Sequence, residues 1–270
     1  MTTEPPHLLA EESADGIFIV TLNRPDKLNA LSNQTMELFE HALLQFRDSP
    51  KLKVMLIRST GRYFCSGADI REAGSATKPR TASEIRENHR IRNRGMHRIY
   101  DEMEHVEKPI VAAHHGMCVG GGLELSLSCD FRLAAKSAGY AFPENRMGVL
   151  PASNGVSRLV RICGSHWARW MIMGGMPVSA ELALTMGLVH QVFADDVFDE
   201  AVMKFCLHLA GQNSEQMGAA KLAIELAAEL SRDSGRQVER MANSALMLNP
   251  DYQALIDSHV GSVGKGSSGA

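Results

Sequence analysis

The sequence predicts an α/β protein with a mainly parallel sheet, followed by a C-terminal region that is helical only. Short apolar runs alternate with helix-compatible segments in the first part of the chain, which is typical of strands joined by crossover helices. From Val197 onward only helical patterns remain. The 270 residues, 44% of them hydrophobic, are enough to bury a substantial core.

Three apolar runs in this first part are predicted to be strands. They cover residues 17–22, 54–57 and 131–135, and each is bounded by turn residues or by a predicted helix. Between the first two, Ser32 is predicted to cap a helix whose apolar positions from Met36 to Phe46 share one face. This order of strand, helix and strand predicts a parallel pair with a crossover connection.

A long helix is predicted after a mobile loop over 72–82. Thr81 and Glu84 form a capping-box pattern, and the helix runs from there toward Val106. Its first part is strongly basic, which predicts a solvated face or, alternatively, a surface that meets phosphates. The basic residues of this cluster are Lys78, Arg80, Arg86, Arg90, Arg92, Arg94 and Arg98.

The stretch from Lys108 to Glu144 is the most informative part of the chain. An apolar run over 110–119 with strand character ends in the glycines 120–122, and a helix is predicted from about Leu123 with Glu124 in its first turn. Glycines allow a ligand to approach the backbone, and the free N–H groups of a helix start favour an anion or a developing oxyanion. Because a carboxylate beside an anion site is otherwise unfavourable, Glu124 is predicted to move a proton or hold a water molecule. The structural alternative is a glycine turn followed by a Glu that the helix dipole favours.

The rest of the chain predicts helices and one short strand, followed by a Gly/Ser-rich end. Helices are predicted over about 153–164, 166–173, 179–187, 197–210, 216–230 and 233–247, and a strand over 189–193. We therefore divide the chain into a core over 1–196, a helical region over 197–262 and a flexible tail over 263–270.

Composition and charge exclude several classes of protein. A formal net charge of −3 gives no general attraction to nucleic acid or an anionic membrane. The five cysteines lack CxxC spacing, and no secretory signal or membrane-length apolar run is present, so a cytoplasmic location is predicted. Adjacent His114 and His115 would point to opposite faces of a strand, which argues against a shared metal ion, and no cysteine or carboxylate spacing supports zinc. A Ser-His-Asp arrangement with Ser126 or Ser128 and Asp130 is the other alternative for these histidines, and it is not favoured. The glycine triplet lacks the GxGxxG pattern of dinucleotide sites.

Five segments, in order, resemble the crotonase (enoyl-CoA hydratase/isomerase) superfamily. They are 23–31 (NRPDKLNAL), 64–70 (FCSGADI), 112–124 followed by Cys129 and Asp130, 148–159, and 178–189. The resemblance implies a spiral of ββα units with C-terminal helices that form homotrimers or dimers of trimers. It also implies an acyl-CoA substrate and neither a metal nor a redox cofactor, since coenzyme A enters as part of the thioester.

The resemblance also implies a set of site residues. The catalytic pair is Glu124, which holds water, and Glu144, which donates a proton to the α-carbon. The oxyanion hole falls on the backbone N–H groups of Ala68 and Gly121. The residues implied in substrate or CoA binding are Lys27, Leu28, Ala30, Ser66, Ala68, Asp69, Ile70, Arg71, Gly120 and Gly121. The family often ends in a Lys/Arg-rich segment near the adenine pocket, whereas residues 249–266 here read NPDYQALIDSHVGSVGKG.

Two glutamates flanking one water molecule favour hydration of an enoyl-CoA, or the reverse dehydration. Within the family the alternative is an enoyl-CoA isomerase that uses Glu144 alone; thioester hydrolysis also stays open. In a different class, a nucleic-acid-binding relative would use the Arg80–Arg98 cluster, although the acidic net charge and the glutamate pair argue against it. Nucleic acid and membrane are therefore not expected as partners.

Overall fold

The computed structural model describes residues 5–73, 81–250 and 252–262. The strands are β1 Leu8–Glu12, β2 Ile17–Leu22, β3 Val54–Ser59, β4 Tyr63–Cys65, β5 Ile110–His114, β6 Met117–Val119, β7 Phe131–Ala135, β8 Gly139–Ala141, β9 Val178–Ser179 and β10 Gln191–Phe193. The helices are α1 Asn33–Asp48, α2 Ile70–Ala73, α3 Ala82–His105, α4 Gly121–Leu127, α5 Gly155–Ala168, α6 Ala180–Thr185, α7 Phe198–Ala210, α8 Ser214–Ala227, α9 Arg232–Leu246 and α10 Tyr252–Ser262.

The strands form two sheets, and most of their pairings are parallel. The larger sheet has the order β1-β2-β3-β5-β7-β10, with only β1 antiparallel to its neighbour. The smaller sheet has the order β4-β6-β8-β9, with only β9 antiparallel. The strands β3, β5 and β7 lie in the larger sheet, and each is followed by a strand of the smaller sheet and then by helical structure. This repeated ββα unit confirms the predicted spiral.

The predicted strand over 110–119 is in fact two strands, and this correction matters for the site. β5 ends at His114, and β6 begins at Met117 in the other sheet. Gly116 lies in the bend, where a Cβ atom would be only 2.3 Å from the carbonyl oxygen of Arg62. The close contact between these two segments allows the chain to cross from one sheet to the other, and an apolar run does not reveal it.

Several other boundaries differ from the prediction. Helix α4 begins at Gly121, two residues before Leu123, because the two glycines after Gly120 are already helical. Within α5, by contrast, Gly164 has non-helical angles (φ 77°, ψ 163°), so that two helices meet there at a kink and the predicted helix end at Gly164 is confirmed. The edge strand β1 was not predicted, since Leu8–Glu12 carries two charged residues, and helix α10 was not predicted as a separate element.

The predicted starts of α1 and α3 are confirmed by their caps. The Ser32 hydroxyl accepts a hydrogen bond from the N–H of Thr35 at 3.0 Å, and helix α1 buries Met36, Phe39 and its other predicted apolar positions. At the start of α3, Thr81 and Glu84 make both hydrogen bonds of a capping box. The rings of Phe18 in β2 and Phe46 in α1 stack at 6.5 Å in the core beneath the larger sheet. Burial of each such side chain contributes about 1.5–3 kcal/mol.

The chain forms two compact units, which divide between Gln212 and Asn213. Helix α7 belongs to the first unit, where it packs on β2, β3 and β7, so this division lies later than the predicted boundary after residue 196. In the second unit α8 and α9 pack together. The predicted role of 197–262 in oligomerisation stays a prediction, and the predicted tail over 263–270 and most of the predicted loop over 72–82 lie outside the described residues. None of the described helices is both long enough and apolar enough to cross a membrane.

Candidate active site

Two backbone N–H groups meet where β4 and β6 end. Ala68 follows β4, and Gly121 is the first residue of α4, so its N–H has no partner within the helix. A Cβ atom on Gly121 would lie 3.2 Å from the amide nitrogen of Ala68. The bridge between Leu31 and Ala68 uses bonds from Leu31 N–H to Gly67 O and from Asp69 N–H to Leu31 O, and these leave the Ala68 N–H unused. The structure therefore brings the two predicted oxyanion donors together.

Asn29, which was not predicted to be functional, joins the loop over 23–31 to the connection between β3 and β4. Asn29 is buried, and its side chain donates to the carbonyl oxygens of Thr60 and Tyr63 at 2.7 and 2.8 Å. Its side-chain oxygen accepts the N–H of Arg24 at 2.8 Å. Its φ of 55° lies in the left-handed region, where Asn is among the few tolerated residues. That preference is the signal that would have identified it.

Gly120 allows the Glu144 carboxylate to lie close to the predicted oxyanion hole. Its φ of 53° and ψ of −127° are accessible essentially to glycine alone. A Cβ atom at this position would lie 2.8 Å from Oε1 of Glu144, which reaches the glycine from the 3-10 turn Pro143–Met147. The second site glutamate, Glu124, sits in the first turn of α4 on the same glycine-led helix.

The two carboxylates have different surroundings. Oε1 of Glu124 accepts two backbone N–H groups, from Ser153 at 2.7 Å and from Gly155 at 3.2 Å. Ser153 lies just before α5 and Gly155 is its first residue, so the start of α5 fixes the orientation of the Glu124 side chain. Glu144 is also buried, but its Oε2 atom has no hydrogen-bond partner among the described residues. A buried carboxyl oxygen without a partner is costly, and a substrate or water molecule would satisfy it.

Burial raises the pKa of both glutamates. The pKa of Glu124 rises to about 7, because of burial and the nearby charge of Glu144, although the N–H groups of Ser153 and Gly155 oppose the rise. Burial also raises the pKa of Glu144. The pair therefore favours holding a proton near neutral pH, so that one member can act as an acid while the other acts as a base.

The raised pKa of Glu124 predicts a pH-dependent stability. Below its ordinary pKa of 4.5 both folded and unfolded states hold the proton. As the pH rises toward 7 the unfolded state releases it first, so folding stability falls. Relative to Glu124→Gln, the parent is expected to lose about 2–3 kcal/mol of unfolding free energy between about pH 5 and about pH 8.

Denaturant unfolding of both proteins at these two pH values measures this difference. The same substitution at the exposed Glu239 is the control and is expected to give a pH dependence parallel to that of the parent. Parallel curves for the parent and Glu124→Gln would show that the Glu124 carboxyl is not perturbed by its surroundings.

The remaining predicted binding residues lie around the same loops. Lys27, Ile70 and Arg71 are exposed, whereas Gly120 and Gly121 are buried. Leu28, Ala30 and Ser66 are half-buried; the N–H of Ser66 donates to the carbonyl oxygen of Leu28 at 3.0 Å, and Ala30 accepts from the Arg24 guanidinium at 2.8 Å. Their predicted contacts with CoA stay predictions.

Asp69 is already engaged within the protein. Its carboxylate forms a salt bridge with Arg24 at 3.1 Å and accepts the N–H of Arg71 at 3.2 Å. Although burial raises the pKa of Asp69, the hydrogen bond and charge of Arg24 outweigh it and lower that pKa overall. The pair ties the loop over 23–31 to the segment that carries Ala68, which is a structural task beside the predicted binding role.

The two adjacent histidines point in different directions, as predicted. His114 is buried, with its Nε2 2.9 Å from the Ser126 hydroxyl and its Nδ1 3.1 Å from the Tyr140 hydroxyl. Burial, together with the charge of Arg132, lowers the pKa of His114 to about 3. His115 instead contacts the carbonyl oxygen of Gly61 through its Nε2 at 2.6 Å.

The basic cluster of α3 is only partly described. Arg86 and Arg90 are exposed, and Arg98 forms an ion pair with Glu40. Lys78 and Arg80 lie outside the described residues, as do the side chains of Arg92 and Arg94. The absence of a nucleic-acid partner therefore stays a prediction.

The backbone amides of Ala68 and Gly121 lie close together, and the carboxylates of Glu124 and Glu144 are buried nearby. Such an arrangement can support acid–base chemistry next to an oxygen that gains negative charge. Comparison with known proteins agrees. Residues 12–259 match the family profile described as enoyl-CoA hydratase/isomerase. The chain is 32% identical over 248 residues to mouse enoyl-CoA hydratase domain-containing protein 2, mitochondrial, covering 89% of this chain and 81% of the mouse protein.

Two further proteins extend this similarity. The 2,3-dehydroadipyl-CoA hydratase of Escherichia coli K12 is 28% identical over 235 residues, which is 87% of this chain and 88% of that protein. A crystal structure of an enoyl-CoA hydratase from Bacillus anthracis superposes with a TM-score of 0.86 at 26% identity, covering 95% of this chain and 96% of that one. The chain therefore belongs to the enoyl-CoA hydratase/isomerase family, the crotonase superfamily.

Proposed function

We propose that the protein adds water across the 2,3 double bond of an enoyl-CoA thioester, or catalyses the reverse dehydration. The observation that carries the proposal is the pairing of Glu124 and Glu144 beside the amides of Ala68 and Gly121. Relatives whose names describe hydratases support the same reaction.

The oxyanion hole would act on the thioester carbonyl. When water adds to the β-carbon, the electrons of the double bond move toward the α-carbon and the carbonyl oxygen becomes enolate-like. The N–H groups of Ala68 and Gly121 would donate to that oxygen. One such donor typically contributes about 3–4 kcal/mol of transition-state stabilisation.

The glutamates would divide the proton transfers between them. Glu124, held by the N–H groups of Ser153 and Gly155, keeps Oε2 for a water molecule and takes a proton from it as its oxygen attacks the β-carbon. Glu144 presents its Oε2, which has no hydrogen-bond partner within the described part of the chain, and gives a proton to the α-carbon. The pair ends the turnover with its proton on Glu124, and exchange with solvent returns it to Glu144. The reaction so written uses neither a metal nor a redox cofactor.

Isotopic water tests hydration against isomerisation. With a panel of enoyl-CoA substrates in ¹⁸O-labelled water, hydration places the label in the β-hydroxyl group of the product. A shift of the double bond leaves the product unlabelled, because an isomerase only moves a proton. Unlabelled, isomerised product from every active substrate would replace the hydratase proposal with the isomerase that uses Glu144 alone.

We also propose that the C-terminal helices assemble the chain into a homotrimer or a dimer of trimers. Exposed apolar side chains on the second unit, among them Ile224, Met241 and Leu248, support such an interface. Sedimentation equilibrium measures the mass, and a monomer at every concentration would contradict the assembly. The cytoplasmic location stays a prediction.

A further inference from the structure

The turn over 152–155 determines where the Glu124 carboxylate lies, because it supplies both N–H donors to Oε1. This turn is itself held from the other side by helix α3. Nε2 of His97 lies 2.7 Å from the carbonyl oxygen of Ala152, so that this ring nitrogen carries the proton. One turn further along α3, the Asp101 carboxylate lies 3.4 Å from the side-chain amide of Asn154.

Arg158 connects this turn to α3 more strongly than either of those contacts. Its side chain is only 6% exposed, and its Nη1 donates to the carbonyl oxygen of Ser153 at 3.0 Å. Its Nε and Nη2 donate to the two carboxylate oxygens of Glu104 at 2.6 and 2.7 Å. Nη2 also donates to Asp101 at 2.8 Å. A bidentate, buried guanidinium of this kind is geometrically specific.

We propose that Arg158 is a positioning residue for the Glu124 carboxylate, because it anchors the Ser153 backbone to Asp101 and Glu104 of α3. The chain of contacts runs from Glu104 through Arg158 to Ser153 O, and from Ser153 N–H to Glu124 Oε1. Arg158 does not touch Glu124 in this chain, so it acts through the turn. Its effect on catalysis rests on the proposed hydration reaction, whereas its effect on the Glu124 carboxyl does not.

The charges around Glu124 predict the direction in which the loss of Arg158 changes the pKa of Glu124. Glu144 faces it from the 3-10 turn, Arg158 from α5 and the neutral Tyr100 from α3. The charge of Arg158 lowers the pKa of Glu124, as do the two N–H groups that the turn presents. Removal of the Arg158 guanidinium removes its charge and weakens the two N–H hydrogen bonds. Because both lower the pKa of Glu124, that pKa is expected to rise.

A titration without substrate tests this link directly. Carboxyl carbons of ¹³C-labelled Glu are followed by NMR, and the Glu124 signal is assigned by its absence in Glu124→Gln. Arg158→Gln is expected to raise the midpoint of that signal by about half a pH unit or more. Arg158→Lys keeps the charge but loses the forked contacts, so a smaller rise is expected. The same Gln substitution at Arg161, on the exposed side of α5, is the control and should leave the midpoint unchanged.

Kinetics separate positioning from a merely structural role. Arg158→Lys is expected to lower kcat by about 10- to 100-fold while KM stays within about twofold, since the misplaced carboxylate affects water attack rather than CoA binding. A folded Arg158→Gln or Arg158→Lys protein with the midpoint and kcat of the parent would overturn the proposal. If Arg158→Gln does not fold, Arg158→Lys decides the outcome. An inactive parent would count against the proposed hydration, yet the titration would still test Arg158.

Discussion

Replacing Glu144 with glutamine is expected to lower kcat for enoyl-CoA hydration by about 10²- to 10⁴-fold, the usual contribution of a positioned acid or base. Glutamine has the size of glutamate but cannot release a proton to the α-carbon. The Oε2 atom of Glu144 is buried and has no hydrogen-bond partner among the described residues, so no structural contact there holds it away from a substrate. Steady-state kinetics on the best substrate of the panel measures the loss, with KM expected to stay close to that of the parent.

The same change at Glu124 decides between two reactions. Hydration requires Glu124→Gln to lose activity by a similar order, because glutamine cannot take the proton from the attacking water. Full activity of Glu124→Gln beside an inactive Glu144→Gln would instead support an isomerase. Glu200→Gln, on the exposed surface of α7, is the matched control and should behave as the parent does.

Gly120→Ala is expected to have the second large effect, on both stability and activity. A methyl group there would lie 2.8 Å from Oε1 of Glu144, and alanine is strained at a φ of 53° with a ψ of −127°. Backbone strain of this kind costs about 1–3 kcal/mol. Displacement of Glu144 and of the adjacent Gly121 amide is expected to reduce kcat/KM by about 100-fold or more.

Gly164→Ala separates the effect of backbone strain from the effect of displacing the Glu144 carboxylate. Gly164 also has a positive φ, 77°, but a Cβ atom there would have no neighbour within 4 Å. We expect Gly164→Ala to lose a similar amount of stability in denaturant unfolding and to keep the kcat/KM of the parent. If Gly120→Ala retained full activity, the close approach of Glu144 to Gly120 would not matter for catalysis.

Much of the fold was predictable because its elements bury one face. The apolar spacing of α1 and the strand character of β2 and β7 report burial along a short segment of chain, and the Ser32 and Thr81 caps mark helix starts locally. The split of 110–119 into β5 and β6 was not predictable in this way. Both halves are apolar, and the bend depends on the approach of Arg62 to Gly116, which lie far apart in sequence.

The same difference between local sequence patterns and distant contacts applies to the site. Glycines followed by Glu124 in a first helical turn indicated an oxyanion site from local chemistry, whereas the role of Glu144 followed only from the family resemblance. The contributions of Asn29 and Arg158 were not predicted. Each acts through hydrogen bonds to segments about 30 or more residues away, and neither bond leaves a periodic pattern.

By itself the sequence determined the α/β class, the family and one half of the proposed catalytic apparatus, the glycine-led helix with Glu124. Only the tertiary structure decided that Glu144 reaches Gly120, that the turn before α5 holds Glu124, and that Arg158 ties this turn to α3. The physical reason is that helix and strand patterns depend on neighbours within a few residues. The environment of a buried carboxyl, and hence its pKa, depends on groups that only the folded chain brings together.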